Sequence, residues 1–412
     1  MSAMIDDDDV SLPSGSEDEN ETEEVDKEIV TDLSDTKVVT KYLEASRIAN
    51  LALSTLIPHI VAGASVLDLI EIGETIINKS LSKIYNKKED GKDVQKGIAF
   101  PVCLSVNERI CNFSPLKSES DSAPPLSASD VVKIDLGCHI DGYIACTAHT
   151  VVVPSAAGQT PVLPDPGMGD VGKACYDAMS VAAALIKPGN TNTMVTSALG
   201  KVAEAYGVKF IANVRMHQMK HFVIDGSKEI ALCPPDVEAG EERVAECTFE
   251  ENEVYCIDVA MSTGTGKGRE GNDRTTVFKR NVDQTYKLKM KASKYVLNQI
   301  QADFPTMPFS LRMVPDERQA KMGVTECVSH NLLSAYPVFN ERDGAYVAHF
   351  KTTVLVMSSG TKKVTGQGLD GYYVSEKGLD EENEALLKEV REAEEKKKAK
   401  AAAKKKKKKA KK

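Results

Sequence analysis

Between residues 36 and 375 the apolar positions switch repeatedly between a spacing of three to four and strict alternation, which predicts mixed helices and strands. A helix is expected over 38–57. A second is expected from Ser65-Val66-Leu67-Asp68-Leu69-Ile70-Glu71 to about residue 83, with Ser65 as its N-cap. Val131-Val132-Lys133-Ile134-Asp135-Leu136-Gly137 and Gly142-Tyr143-Ile144-Ala145 read as a hairpin. Its turn, Ile140-Asp141-Gly142-Tyr143, supplies the Asp-Gly pair that tolerates positive φ. Helices are expected over 176–186, ending at Pro188-Gly189, and over 192–205. Val254-Tyr255-Cys256-Ile257-Asp258-Val259 is a further strand. The segment Gly264-Thr265-Gly266-Lys267-Gly268 then reads as a hairpin turn into Thr275-Thr276-Val277-Phe278. A phosphate loop would need Ser or Thr after the lysine, where Gly268 stands. The parallel with Ile134-Asp135, a turn and Thr150-Val151-Val152 suggests an internally duplicated fold.

The two ends depart from this pattern. Residues 1–28 carry a net charge of −11, residues 396–412 carry +12 and the remainder carries −10, so the overall −9 conceals two opposed tails. Residues 1–35 have too little apolar matter to offset ordering entropy and read as an acidic disordered tail. Residues 376–395 contain a charged helix with Leu386, Leu387, Val390 and Ala393 on one side, followed by a Lys-rich tail over 396–412. That tail ends in Lys404, Lys405, Lys406, Lys407, Lys408, Lys409, Lys411 and Lys412, a cluster suited to counterion release on nucleic acid or to nuclear import. A merely solubilising tail is the alternative.

Composition narrows the class. The chain has 412 residues, 42% hydrophobic, enough for one large domain or two ordinary ones. Apolar runs such as Ile60-Val61-Ala62-Gly63-Ala64 fall far short of the ~20 residues a bilayer-spanning helix requires, so no membrane partner is expected. The start, with Asp6 to Asp9, lacks the basic and apolar regions of a secretory signal, which points to cytosol or nucleus. Nine cysteines without a C-x-x-C pair indicate reduced packing residues rather than a disulfide framework or a zinc finger.

The candidate chemistry lies in the strands. Asp135, Asp258 and His217 are ligand types that could surround a divalent metal. Taken singly, each is more often a hydrogen-bonded strand residue than a ligand.

As a set, four segments resemble type 2 methionine aminopeptidases: Lys96-Gly97-Ile98-Ala99-Phe100-Pro101, Lys133 through Gly142, Val254 through Asp258, and Met307-Pro308-Phe309. The match is in order across most of 36–375. It is most similar to the proliferation-associated, ErbB-binding branch, which includes fungal curved-DNA-binding proteins and shares Tyr286-x-Leu288-Lys289-Met290-Lys291 and the Lys-rich end. The resemblance implies an α+β pita-bread fold, two pseudo-symmetric halves around a curved antiparallel sheet, with a helical insertion over roughly 285–340.

It also implies positions for the two-metal site of the active members. One Asp matches Asp135 and the His matches His217, but the second Asp falls on Cys146, one Glu on Asp258 and the last Glu on Lys351. A substrate-positioning His falls on Asn112. Two carboxylates and an ammonium cannot offset two dications, and a charge pair at ~4 Å is worth about 4 kcal/mol at an effective dielectric of 20. Lys351 is therefore expected to replace the metal as counter-charge to Asp135 or Asp258, leaving no activated bridging water and no cofactor. A single zinc ion held by a Cys146 thiolate is the alternative.

With catalysis lost, binding remains. Lys279 and Arg280, with Lys287, Lys289 and Lys291 on one face of an extended segment and Tyr286 beside them to stack on a base, are candidate nucleic-acid contacts. An ordinary solvated face is the other reading. The resemblance implies binding of RNA and ribosomal particles, ribosome biogenesis, nucleolar residence and growth control. The expected protein is a catalytically silent one that binds RNA or large ribosomal subunits in nucleus and cytoplasm. The rivals are a DNA-binding or transcription-linked adaptor and a residual metal-dependent aminopeptidase.

Overall fold

The computed structural model describes residues 31–89, 91–235 and 243–409. The acidic segment 1–30 and the last two lysines, Lys411 and Lys412, lie outside the described residues. Asp35 caps α1 (Thr36–Leu56) by accepting from the Lys37 amide at 2.7 Å, and Val38, Tyr42, Ala45, Ala49, Ala52 and Leu56 turn inward at helical spacing. Ser65 caps α2 (Val66–Leu81) as expected, accepting from the Asp68 amide at 3.3 Å. The chain then forms β1 (Lys96–Val106), β2 (Arg109–Cys111), β3 (Val131–Ile140) and β4 (Tyr143–Val152). Between β3 and β4, Asp141 (φ 53°) and Gly142 (φ 73°) make the tight turn that two positive φ angles allow.

The next helix begins ten residues before its expected start. α3 (Pro166–Leu185) is capped by Asp165 and opens with proline at its first position. Its early glycines are packing residues. A Cβ on Gly169 would stand 2.2 Å from the Val374 carbonyl oxygen, and one on Gly172 2.3 Å from the Tyr373 ring. α4 (Asn192–Tyr206) ends at Gly207, φ 64°, as a left-handed C-cap. Then follow β5 (Lys209–Phe210), β6 (Arg215–Met219), β7 (Glu229–Ala231), β8 (Val254–Ser262), β9 (Arg269–Glu270) and β10 (Val277–Arg280). Next come α5 (Lys291–Asp303), β11 (Phe309–Ser310), α6 (Glu317–Ser329), β12 (Leu333–Tyr336) and β13 (Phe339–Asn340). The chain closes with β14 (Val347–Met357), β15 (Gly360–Lys363) and α7 (Glu381–Lys409).

A nine-stranded antiparallel sheet runs β1-β3-β4-β14-β8-β6-β7, with β15 on β14 and β5 on β8. α1 and α2 pack on β1, β3 and β4; α3 packs on β14 and β8, and α4 on β7. Each half thus runs two helices before its sheet strands, β1, β3 and β4 in the first and β6, β8 and β14, edged by β5, β7 and β15, in the second, and β3 corresponds to β8 and β4 to β14. This is the expected pita-bread plan, but the repeat lies elsewhere than the sequence parallel places it. β8 pairs with β14, nearly ninety residues later, whereas β10 leaves for a small sheet with β11 and β12. Likewise the 264–268 segment is no hairpin turn, because it leads to β9, which pairs with β13. Glu341 holds it, accepting from the Gly266 amide at 2.8 Å and the Thr265 hydroxyl at 2.7 Å.

The insertion has its own core of Phe278, Val296, Phe309, Leu311 and Val324 between α5, α6 and the small sheet. Arg312, 3% exposed, pins it to the first half through two bonds to Glu74, at 2.7 and 2.8 Å. At the C-terminal end the helix exceeds its expected limit at 395: α7 is 29 residues long and includes Lys404 to Lys409 in its last turns. Lys and Ala are strong helix formers, and Leu387 anchors the first turns in the core beside α3.

Candidate functional site

The pairing register sets the site. Cys103, Asp135, Ala148, Lys351 and Asp258 stand opposite one another in one row across β1, β3, β4, β14 and β8. Directly opposed residues share a face, so their side chains project to the same side. Two residues along, Gly137 faces Cys146, Thr353 faces Cys256 and Cys256 faces His217. Gly137 is required there, because a Cβ on it would lie 2.7 Å from the Cys146 sulfur. These rows floor a cavity of about 410 Å³ whose lining includes Asp135, Cys146, His217, Asp258, Lys351 and Asn112. All six residues named from the resemblance therefore meet in one place.

Lys351, 6% exposed, donates to Asp135 Oδ2 at 2.6 Å and to Asp258 Oδ2 at 3.0 Å, and its Nζ lies 5.0 Å from the centre of the Phe100 ring. It pairs with both carboxylates, rather than with one. His349, two residues earlier on the same face, places Nε2 2.5 Å from Asp258 Oδ1. The alternation of β14 puts His349 beside Lys351, although the sequence pattern singles out only Lys351 on this strand. Burial opposes the Lys351 charge, yet Asp135 and Asp258 outweigh it and hold the ammonium well above the usual lysine range. Burial likewise opposes ionisation of Asp258, and Lys351 and His349 overturn that, holding its carboxyl well below the usual range. A hydrogen bond to Cys146, with burial, raises the Cys256 thiol well above its ordinary value and keeps it protonated. Burial lowers and the Cys256 contact raises His217, with a net rise.

Asn112 has φ 65°, a left-handed conformation that asparagine tolerates, and its amide donates to Pro337 O at 2.9 Å. Asp135 Oδ1, His217 Nδ1 and His349 Nδ1 are buried without a protein partner.

A two-metal centre does not fit this donor set. Asp135 and Asp258 already share one cation, two of the five positions offer a thiol and an ammonium, and a dication would meet Lys351 at close range. Among the described residues no group of three or more His, Cys, Asp or Glu side chains is arranged to hold a metal ion.

The candidate nucleic-acid residues are dispersed by comparison. Lys279 is ion-paired with Asp225, and Arg280 donates to Pro305 O at 3.5 Å. Tyr286 is stacked on His330, with ring centroids 3.6 Å apart and an angle of 12° between planes, so one face is already covered. Lys287 and Lys289 are exposed on either side of buried Leu288. Lys291, in contrast, opens α5, so the expected single extended face of three lysines is broken there.

Comparison with known proteins agrees with this geometry. The model of metallopeptidase family M24 matches residues 40–281. The ErbB-3 binding protein 1 of Solanum tuberosum is 43% identical over 357 residues, 86% of either chain. A curved DNA-binding protein of Schizosaccharomyces pombe is 37% identical, covering 82% of this chain and 87% of its own. A solved structure of a thermophilic Arx1 superposes with a TM-score of 0.78 at 29% identity, over 86% of this chain and 98% of its own. The chain belongs to metallopeptidase family M24, within the branch of the ErbB-3-binding and curved-DNA-binding relatives.

Proposed function

We propose that this chain is a non-catalytic aminopeptidase-fold protein that binds RNA or large-subunit ribosomal particles. Its role then lies in ribosome biogenesis, translation or growth control, in the cytoplasm and nucleus, including the nucleolus. The observation that carries the first half is Lys351, whose ammonium occupies the space between Asp135 and Asp258 that two metal ions would need. Without such ions no bridging hydroxide forms and nothing clamps a tetrahedral intermediate. The second half is supported by the family resemblance, by the twelve lysines over 396–412 and by exposed Lys287 and Lys289. Phosphate contacts of this kind supply affinity without sequence information.

Sucrose-gradient sedimentation with purified large ribosomal subunits at physiological salt tests the binding. Comigration of both the full chain and a chain ending at Glu395 places the interface on the folded body. Sedimentation of neither form with the subunits overturns the ribosomal reading. Release of N-terminal Met from a short peptide in the presence of cobalt, manganese or zinc would overturn the non-catalytic one. A second reading, binding to DNA, is favoured by the name of the S. pombe relative. Competition between curved DNA and ribosomal RNA at matched salt separates the two. The name of the Solanum tuberosum relative adds a protein partner in growth signalling as a further candidate.

A further inference from the structure

A second cavity, of about 540 Å³, lies between the start of β1, the end of β3, Phe222, and the end of α5 with the loop after it. Its size is that of a small-molecule site. His139, 8% exposed, lines it and accepts the Gly142 N–H on Nδ1 at 3.2 Å. Burial pulls this imidazole to about 4, against the pull of Asp141, so it is neutral at physiological pH. A neutral imidazole that accepts on one nitrogen carries its proton on the other. Nε2 is therefore a donor, and it is the atom that a Gly97 side chain would meet, at 3.5 Å, on the same cavity wall. Thr306 Oγ1, in the same lining, is buried without a partner.

The remaining lining defines what would fit. Gln95 and Gln301 add amides, Asp303 adds an exposed carboxylate, and Phe222 and Phe304 add aromatic faces, one side of Phe304 being stacked on Phe309. The Lys96 ammonium is committed elsewhere, to Asn86 Oδ1 at 2.6 Å and to the carbonyls of Ile84 and Tyr85. A donor, a hydroxyl, amides, an acceptor carboxylate and aromatic rings without a free cation complement a flat neutral heterocycle whose edge carries both donors and acceptors. Cations flank the cavity: Lys83, Lys87 and Lys88 are exposed on the loop that Lys96 ties to the wall, Lys88 being 3.9 Å from Asp93, and Arg280 reaches Pro305 at the rim. Single-stranded RNA is read by bases splayed out onto aromatic rings, with lysine and arginine on the phosphates.

We propose that this cavity takes one unstacked nucleobase of an RNA strand, with His139 and Thr306 bonding its edge and Phe222 or Phe304 covering its face. The proposal rests on the RNA-binding reading and deepens it by naming where a base is held.

The test uses the full chain with ¹³C-labelled histidine, titrated with adenosine, guanosine, cytidine and uridine. At least one nucleoside should move the His139 ring signals, assigned by His139→Gln, and Thr306→Val should weaken that nucleoside about fivefold, the loss of one neutral hydrogen bond. Short 4-thiouridine RNA should crosslink to peptides containing Phe222 or Phe304. Unmoved His139 signals with all four nucleosides, together with crosslinks elsewhere, overturn the proposal, as does a peptide that moves these signals when nucleosides do not. Because Thr306→Val exchanges a hydroxyl for a methyl group of similar size, it serves even if the His139 variant fails to fold. Comigration with ribosomal subunits that both variants leave unchanged, with unmoved His139 signals, sinks the base pocket alone. Nucleoside binding without comigration sinks the ribosomal reading alone.

Discussion

Lys351 reaches Asp135 across an intervening strand because Ala148, which stands between them in the register row, carries only a methyl group. One long side chain on β14 therefore joins carboxylates from both halves of the sheet, and the cavity floor is held by a cation that belongs to the chain itself.

Removing that cation leaves two buried carboxylates uncompensated. Lys351→Met should cost about 3–5 kcal/mol in urea denaturation, the range for breaking a buried pair from one side. Adding Asp135→Asn and Asp258→Asn to it should recover most of the loss. A triple variant as unstable as the single one would show that packing of Lys351 against Phe100, not its charge, matters.

The same geometry predicts how the family's donor set returns. With Lys351→Glu, Cys146→Asp and Asp258→Glu together, manganese or cobalt should raise the thermal midpoint in a saturable way, while the parent should show no such shift. Stoichiometric tight binding of either ion by the parent, measured calorimetrically, would refute the account of the site.

Lys133 gives a pH dependence. It is 1% exposed, donates to the Asn107 and Val131 carbonyls, and burial drags it down to about 7, against the pull of Glu108 and Asp130. Between about 7 and the ordinary lysine value of 10.5, the unfolded chain binds a proton that the folded chain does not. Stability from this group therefore rises with pH across that window and is lost below it. Lys133→Met should raise stability at pH 7 and narrow its advantage over the parent by about 2 kcal/mol at pH 9. An unchanged difference between parent and variant at the two pH values would show that Lys133 does not titrate there.

Two helical glycines should respond oppositely to alanine. Gly172→Ala forces a methyl group onto the Tyr373 ring and should cost about 1–3 kcal/mol. Gly200→Ala, in α4 with nothing within 4 Å, should stabilise by about 0.5–1 kcal/mol. Equal effects in chemical denaturation would mean that the contact between α3 and the 373–374 segment is not tight.

Much of the architecture was legible locally. The Ser65 cap, the Asp141-Gly142 turn and the periodicity of α1, α2 and α4 depend on neighbours within a few residues, and each stands where the pattern puts it. α3 was read late because its glycines look like loop residues until Tyr373 and Val374, two hundred residues away, are packed against them. The repeat was misplaced for a similar reason: the partner of β8 follows the insertion, and a nearer run of Thr and Val imitates it.

Within the site, the kinds of residue at the five metal positions, taken together, already told against two metals, since charge balance needs no coordinates. That Lys351 bridges both carboxylates, that His349 joins it and that Cys256 sits beside Cys146 follow from register across non-adjacent strands. Register of that kind is a long-range property. Local sequence determines which elements form and which side of each is apolar; the pairing of β4 with β14, and so which polar groups share one buried row, is settled by packing two distant halves of the chain together.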